Sequence, residues 1–103
     1  MERSFENRVQ LACRLCVRAL VIEGQGPEIR LFLEGKTSRG TVFVPAIIRG
    51  ELAERMKEEI LFWQEGDQVF LEGELDWESR WEGSRARYLL LVNVLRIQKV
   101  EVF

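Results

Sequence analysis

The chain has 103 residues, 47% of them apolar and 31% charged, with a formal net charge of −2 and no histidine. That composition fits one ordinary folded domain spanning residues 1–103 and excludes a disordered chain. No stretch reaches the roughly 18 apolar residues of a membrane span, and the opening MERSFENRVQ carries no secretory-leader pattern, so the expected location is cytoplasmic with no membrane partner. The charge is unevenly spread: residues 51–78 hold ten acids and two bases, and the rest holds thirteen bases and seven acids. Local sign decides where a polyanion docks, so the slightly acidic total leaves nucleic acid open as a partner.

Residues 7–18 alternate strictly, with Val9, Leu11, Cys13, Leu15 and Val17 on one face and Arg8, Arg14 and Arg18 on the other. A period of two predicts a half-buried strand, running on towards residue 22 with a bend, and GQGP (24–27) is a turn. EIRLFLE (28–34) reads as a second strand with Ile29, Leu31 and Leu33 inward; GKTSRG (35–40) is a loop; TVFVPAII (41–48) is a third strand with Val42, Val44, Ala46 and Ile48 inward. Pro45 lacks an N–H and therefore belongs at an edge or a bulge. Leu52, Met56, Ile60 and Trp63 then fall at helical spacing, predicting an amphipathic helix of three or four turns ended by Gly66. DQVFLEGELDW (67–77) is a fourth strand with Val69, Leu71, Gly73, Leu75 and Trp77 on its inner parity, ESRWEGSRA is a flexible tip, and RYLLLVNVLRIQKV (87–100) is a fifth strand. Tyr88, Leu90, Val92 and Val94 take one face of that strand, and Leu89, Leu91 and Leu95 make the other apolar too. A strand apolar on both sides needs cover on both sides, which points to a homodimer or higher homo-oligomer.

Five strands with one helix between the third and fourth is the element order of an all-β OB-fold, a partly open five-stranded Greek-key barrel. A different small barrel, such as an SH3-like one, explains the helix less well. Cys13 and Cys16 form the only cysteine pair; two ligands without histidine do not make a structural zinc site, and in a strand their spacing of about 10 Å is too long for a disulfide, so free thiols are expected. Catalysis is poorly supported. No histidine is present for proton transfer near neutral pH, Gly35-Lys36-Thr37 lacks the upstream glycine spacing of a phosphate loop, and Glu72 and Glu74 lie on the outward parity of a strand. No enzyme activity, metal or cofactor is expected.

The residues also resemble those of the bacterial single-stranded DNA-binding proteins and their relative primosomal replication protein N (PriB). N-R-V-x-L (7–11) is similar to that family's opening strand, G-E-L-A-E (50–54) to the start of its helix, and E-G-D-Q-V-F-L-E-G-E-L (65–75) to its fourth strand. W-E-G (81–83) followed by R-Y (87–88) fits its last hairpin. F-L-E-G-K-T-S (32–38), V-P-A-I-I-R-G (44–50) and the chain length lean towards PriB, whereas the helix is more like that of the single-stranded DNA-binding proteins. The resemblance runs over nearly the whole chain through short motifs in a shared order. It implies single-stranded DNA as the partner, replication or replication restart as the setting, and contacts with proteins of those processes. The end at KVEVF, straight after the last strand, favours an accessory or primosomal role over that of a recruiting hub.

Single strands are held by cations that follow the phosphates and by aromatic rings that stack on bases, and OB-folds place both on the face of their second and third strands and on the hairpin loops. Here that surface offers Arg30, Phe32, Lys36, Arg39, Phe43 and Arg49, and the last hairpin adds Arg80, Trp81, Arg85 and Arg87. Trp77 follows the inward parity and is assigned to the core. The alternatives are an OB-fold used for protein–protein assembly without nucleic acid, supported by the low net charge and the two-sided fifth strand, and an RNA-binding module. The acidic helix face reads as solvated surface, and the Arg8, Arg14, Arg18 stripe as either a second nucleic-acid path or an interface.

Overall fold

The computed structural model describes residues 6–101; the leader reading, which begins at residue 1, and the last two residues of the KVEVF ending lie outside them. The strands are β1 (Val9–Leu15), β2 (Leu20–Ile22), β3 (Glu28–Thr37), β4 (Gly40–Arg49), β5 (Gln68–Glu82) and β6 (Arg85–Lys99), with the helix α1 (Gly50–Ile60) between β4 and β5. Their order across the sheet is β1-β5-β6-β4-β3-β2, and a further β1–β3 pairing returns the sheet on itself. β1, β3, β4, β5 and β6 therefore form a closed five-stranded barrel, with short β2 flanking β3. Two seams make the closure, each only two residues long. Arg14 and Leu15 pair antiparallel with Glu34 and Leu33, and Ala46 and Ile47 pair parallel with Val92 and Asn93. Pro45 sits immediately before the second seam, on the stretch of β4 that pairs with β3 alone, where a missing N–H is tolerated.

Alternation places the core. Leu15, Ile29, Leu31, Leu33, Ala46, Ile48, Val69, Leu71, Val92 and Val94 are buried inside the barrel, and Ala53, Ile60 and Trp63 plug it from the helix side. Each fully buried Leu, Ile or Val contributes about 1.5–3 kcal/mol. The helix is shorter than expected. It ends at Ile60, with Leu61 as its C-cap; Trp63 belongs to the following turn yet is still 3% exposed. Glu51, Glu54, Glu58 and Glu59 face solvent. No helix among the described residues is long and apolar enough to cross a membrane.

Both expected loops are tighter than the sequence suggests. β3 and β4 pair out to Thr37 and Gly40, leaving a two-residue turn in which the Thr37 hydroxyl accepts a hydrogen bond from the Arg39 N–H and donates one to the Gly40 carbonyl, both at 3.1 Å. β5 and β6 pair out to Glu82 and Arg85, so ESRWEGSRA is a paired ribbon, not a flexible tip. Gly83, at φ 61°, is the positive-φ residue that a two-residue hairpin turn starting with glycine requires. Because this ribbon runs beyond the barrel, residues with inward parity emerge into solvent. Leu75, Trp77, Tyr88 and Leu90 are 48%, 57%, 70% and 63% exposed, so Trp77 is not core. Val17 and Val42, also expected inside, are exposed for the same reason, lying past the ends of the barrel. Leu95, expected on the outer face, is exposed there as the extra residue of a bulge opposite Glu72 and Gly73, while Leu91, expected on the same face, is buried within the chain.

At that bulge the strands approach so closely that a Cβ added at Gly73 would clash with the Asn93 carbonyl oxygen. Beyond it, the ribbon folds over the outer face of β3 and β4. The Arg30 guanidinium donates to both oxygens of Glu78, Nη1 to Oε1 at 2.7 Å and Nη2 to Oε2 at 2.9 Å. These bonds hold the Glu78 carboxyl below its ordinary pKa and push that of Arg30 up. Glu34 is lowered by its hydrogen bond from Arg14, and Asp67 by the backbone N–H of Gln64.

Replacing Gly73 with Ala is expected to cost about 1–3 kcal/mol through overpacking against backbone, lowering the melting temperature by at least about 5 °C; an unchanged melting curve contradicts the close approach. The three lowered carboxyls predict acid sensitivity. Below about pH 4 the unfolded chain takes up protons that the folded chain resists, so their stabilisation, present above that pH, fades as the pH falls through the depressed folded values. A melting temperature that drops between pH 6 and pH 3, and drops less in Glu78→Gln, is the expected result; a flat profile is not.

Candidate nucleic-acid interface

The outward row of β3 is Glu28, Arg30, Phe32, Glu34 and Lys36; opposite it on β4 stand Arg49, Ile47, Pro45, Phe43 and Thr41, in register. Alternation makes these ten residues one wall outside the barrel, and it divides into three zones along the strands.

The middle zone is aromatic. Phe32 and Phe43 lie diagonally across the ladder with ring centroids 5.9 Å apart and planes 11° from parallel. They are 43% and 57% exposed, and Pro45 sits beside them in the ladder. Two stacked rings open to solvent form an apolar step that a planar ligand can extend. Next comes a cationic end. The Lys36 Nζ donates to the Thr41 hydroxyl at 3.2 Å, and Arg39 projects from the adjoining turn. Among the described residues, no carboxylate lies within ion-pair distance of Lys36 or Arg39.

At the opposite end the cations are already engaged. Beside its bonds to Glu78, Arg30 donates from Nε to Glu28 at 3.0 Å. Arg49 is 3.5 Å from Asp76 and 3.9 Å from both Glu28 and Glu78. Two guanidiniums thus share three carboxylates, and the sequence-level view of Arg30 and Arg49 as open phosphate ligands omitted these partners. Ile47 is fully buried at this end, under the ribbon.

The ribbon has two faces. Ladder parity puts Arg80, Arg85 and Arg87 on the face that carries Glu78. Arg87 pairs with Glu82 at 3.2 Å; no described carboxylate is within ion-pair distance of Arg80 or Arg85. Trp81, 71% exposed, shares the reverse face with Leu75, Trp77, Tyr88 and Leu90. On that face Trp77 and Tyr88 meet edge to face at 5.3 Å. The structure therefore gathers Arg30, Phe32, Lys36, Phe43 and Arg49 on one wall with Arg39 at its end, and sets Trp81 apart from the two phenylalanines. Trp77 and Tyr88 are exposed aromatics that parity alone assigned inward. Strand length was the available signal: two 15-residue strands extend for about 50 Å at ~3.4 Å per residue, more than a small barrel covers.

The basic stripe of β1 does not act as a unit. Arg14 pairs with Glu34 at 2.6 Å, and Arg18 donates to the Leu61 carbonyl at 2.7 Å. Cys13 and Cys16 are free and half-buried; burial, then the neighbouring Cys16, pushes the Cys13 thiol up to about 11, which leaves it protonated and unreactive near neutral pH.

No family model matches the sequence, and no curated protein matches it. Among solved structures the chain is similar to the crystal structure of a small single-stranded DNA-binding protein from Streptomyces coelicolor, with a TM-score of 0.69 at 14% identity, covering 93% of this chain and 96% of that one. At that identity the likeness speaks to architecture: the closed five-stranded barrel with one helix between its third and fourth strands is an OB-fold.

Proposed function

We propose that this chain is a non-catalytic single-stranded DNA-binding protein that acts in replication or replication restart, in the manner of PriB. The observation that carries the reading is the solvent-exposed, parallel Phe32–Phe43 pair on the outer β3–β4 wall, with Lys36 and Arg39 beyond it. Bases stack on the rings while those cations meet phosphates, and Arg80 and Arg85 of the ribbon add further phosphate contacts. Trp81 offers a ring at the ribbon tip. Arg30, Arg49 and Arg87 serve the same surface from within ion pairs. The solved structure to which the fold is similar is itself named for single-stranded DNA binding, which supports the same reading.

A second reading, self-association, is favoured by one observation. Leu75, Trp77, Tyr88 and Leu90 form a continuous exposed apolar face on the back of the ribbon, suited to burial against a second copy in a homodimer. It leaves the Phe32–Phe43 wall open, so the two readings are compatible.

Titration with labelled oligo-dT is expected to show binding that weakens with salt, with a slope of about −0.7 per phosphate contact in a log–log plot. Phe32→Ala and Phe43→Ala are each expected to cost about 1–3 kcal/mol, the weight of one stacked base. No salt-sensitive binding, or full binding by both variants, refutes the proposal, and stronger competition by tRNA than by poly-dT redirects it to RNA. For self-association, sedimentation of the wild type should give a dimer or larger species and Leu90→Glu a monomer; a wild-type monomer contradicts it.

A further inference from the structure

The wall proposed to hold a polyanion carries a carboxylate where a phosphate would sit. Arg30 presents its guanidinium fork to Glu78 through two parallel bonds of 2.7 and 2.9 Å, and its remaining Nε is taken by Glu28. That planar, two-bond geometry is the one in which arginine also receives phosphate oxygens. Arg49 stands among Asp76, Glu28 and Glu78. This end of the wall therefore holds one more negative than positive charge, whereas no described carboxylate lies within ion-pair distance of Lys36 or Arg39, and Glu34 beside them is paired with Arg14. Phe32 and Phe43 lie between the two ends.

We propose that Glu78 is an internal phosphate surrogate: it occupies Arg30 in the free protein, and a bound single strand completes its path along β3 and β4 by exchanging its own phosphate for that carboxylate. The inference rests on the reading of this wall as a single-strand surface. A strand first engages Lys36 and Arg39, which have no ion-pair partner among the described residues, and the rings of Phe43 and Phe32, and reaches Arg30 last. The exchange costs affinity, because Glu78 must be released and rehydrated, and it blunts the salt dependence, because the freed carboxylate gathers cations as the phosphate sheds them. The mutual stabilisation of the two charged forms in the free protein makes this a closed resting state.

A simple strut between ribbon and barrel makes the opposite prediction, since loosening it disorders the wall. The test is anisotropy of fluorescein-labelled oligo-dT over a series of NaCl concentrations. Glu78→Gln is expected to bind about three- to tenfold more tightly at low salt, with a slope steeper by about 0.7–1.4, the contribution of one or two phosphate contacts; Arg30→Gln is expected to bind more weakly than wild type. Glu78→Gln binding that is unchanged or weaker, with the protein folded, overturns the inference while leaving wild-type binding intact. Absence of binding by the wild type removes the underlying functional reading instead. Should Glu78→Gln fail to fold, Glu28→Gln decides by the same criteria, with a smaller expected gain.

Discussion

The long β5–β6 ribbon depends on the antiparallel ladder that roots it in the barrel and continues out to Glu82 and Arg85. A free two-stranded ribbon in water is marginal, and this one carries apolar and aromatic residues that the barrel cannot cover. Its root is fixed at Gly73, where the missing side chain lets β5 press against the β6 backbone. In the free protein Arg30 and Arg49 meet Asp76 and Glu78 where the ribbon lies over β3 and β4. Burial of Ile47 and Leu91 follows from that placement, because both have outward parity and are covered only where the ribbon and the sheet meet. The exposure of Trp77 and Tyr88 on the opposite side is the other consequence of the same placement.

Alternation in the sequence located the barrel well. The strands around Leu31, Ala46, Leu71 and Val92 repeat with period two because one face is buried and the other wet, and a helix between the third and fourth barrel strands leaves few other small folds. The ribbon was less legible. Parity tells which residues share a face and says nothing about whether that face is covered, so Leu75, Trp77 and Tyr88 have the right side and the wrong environment. The bulge at Leu95 inserts one residue without any local mark in the sequence, so alternation counted from Val94 does not lead to buried Ile97. On the β3–β4 wall, the outward placement of Phe32 and Phe43 was readable from alternation. The pairing of Arg30 with Glu78 was not, since 48 residues separate the two and only the ribbon's return over the sheet brings them together.

Charge and stacking are consequently separated on this wall. The rings are open, the nearest cations without an ion-pair partner among the described residues are at the Lys36 end, and Arg30 is committed to Glu78. A surface of this kind captures a polyanion from one end and relies on aromatic contact for much of its affinity, which suits a protein whose net charge is slightly negative. The acidic residues of the helix face are exposed.

The most direct measurement is a map of backbone amide shifts by NMR as oligo-dT is added. Binding along the proposed wall predicts that the largest changes fall on residues 30–45, centred on Phe32 and Phe43, with smaller ones on the ribbon. Shifts concentrated on α1 and β1, with β3 and β4 unmoved, contradict it.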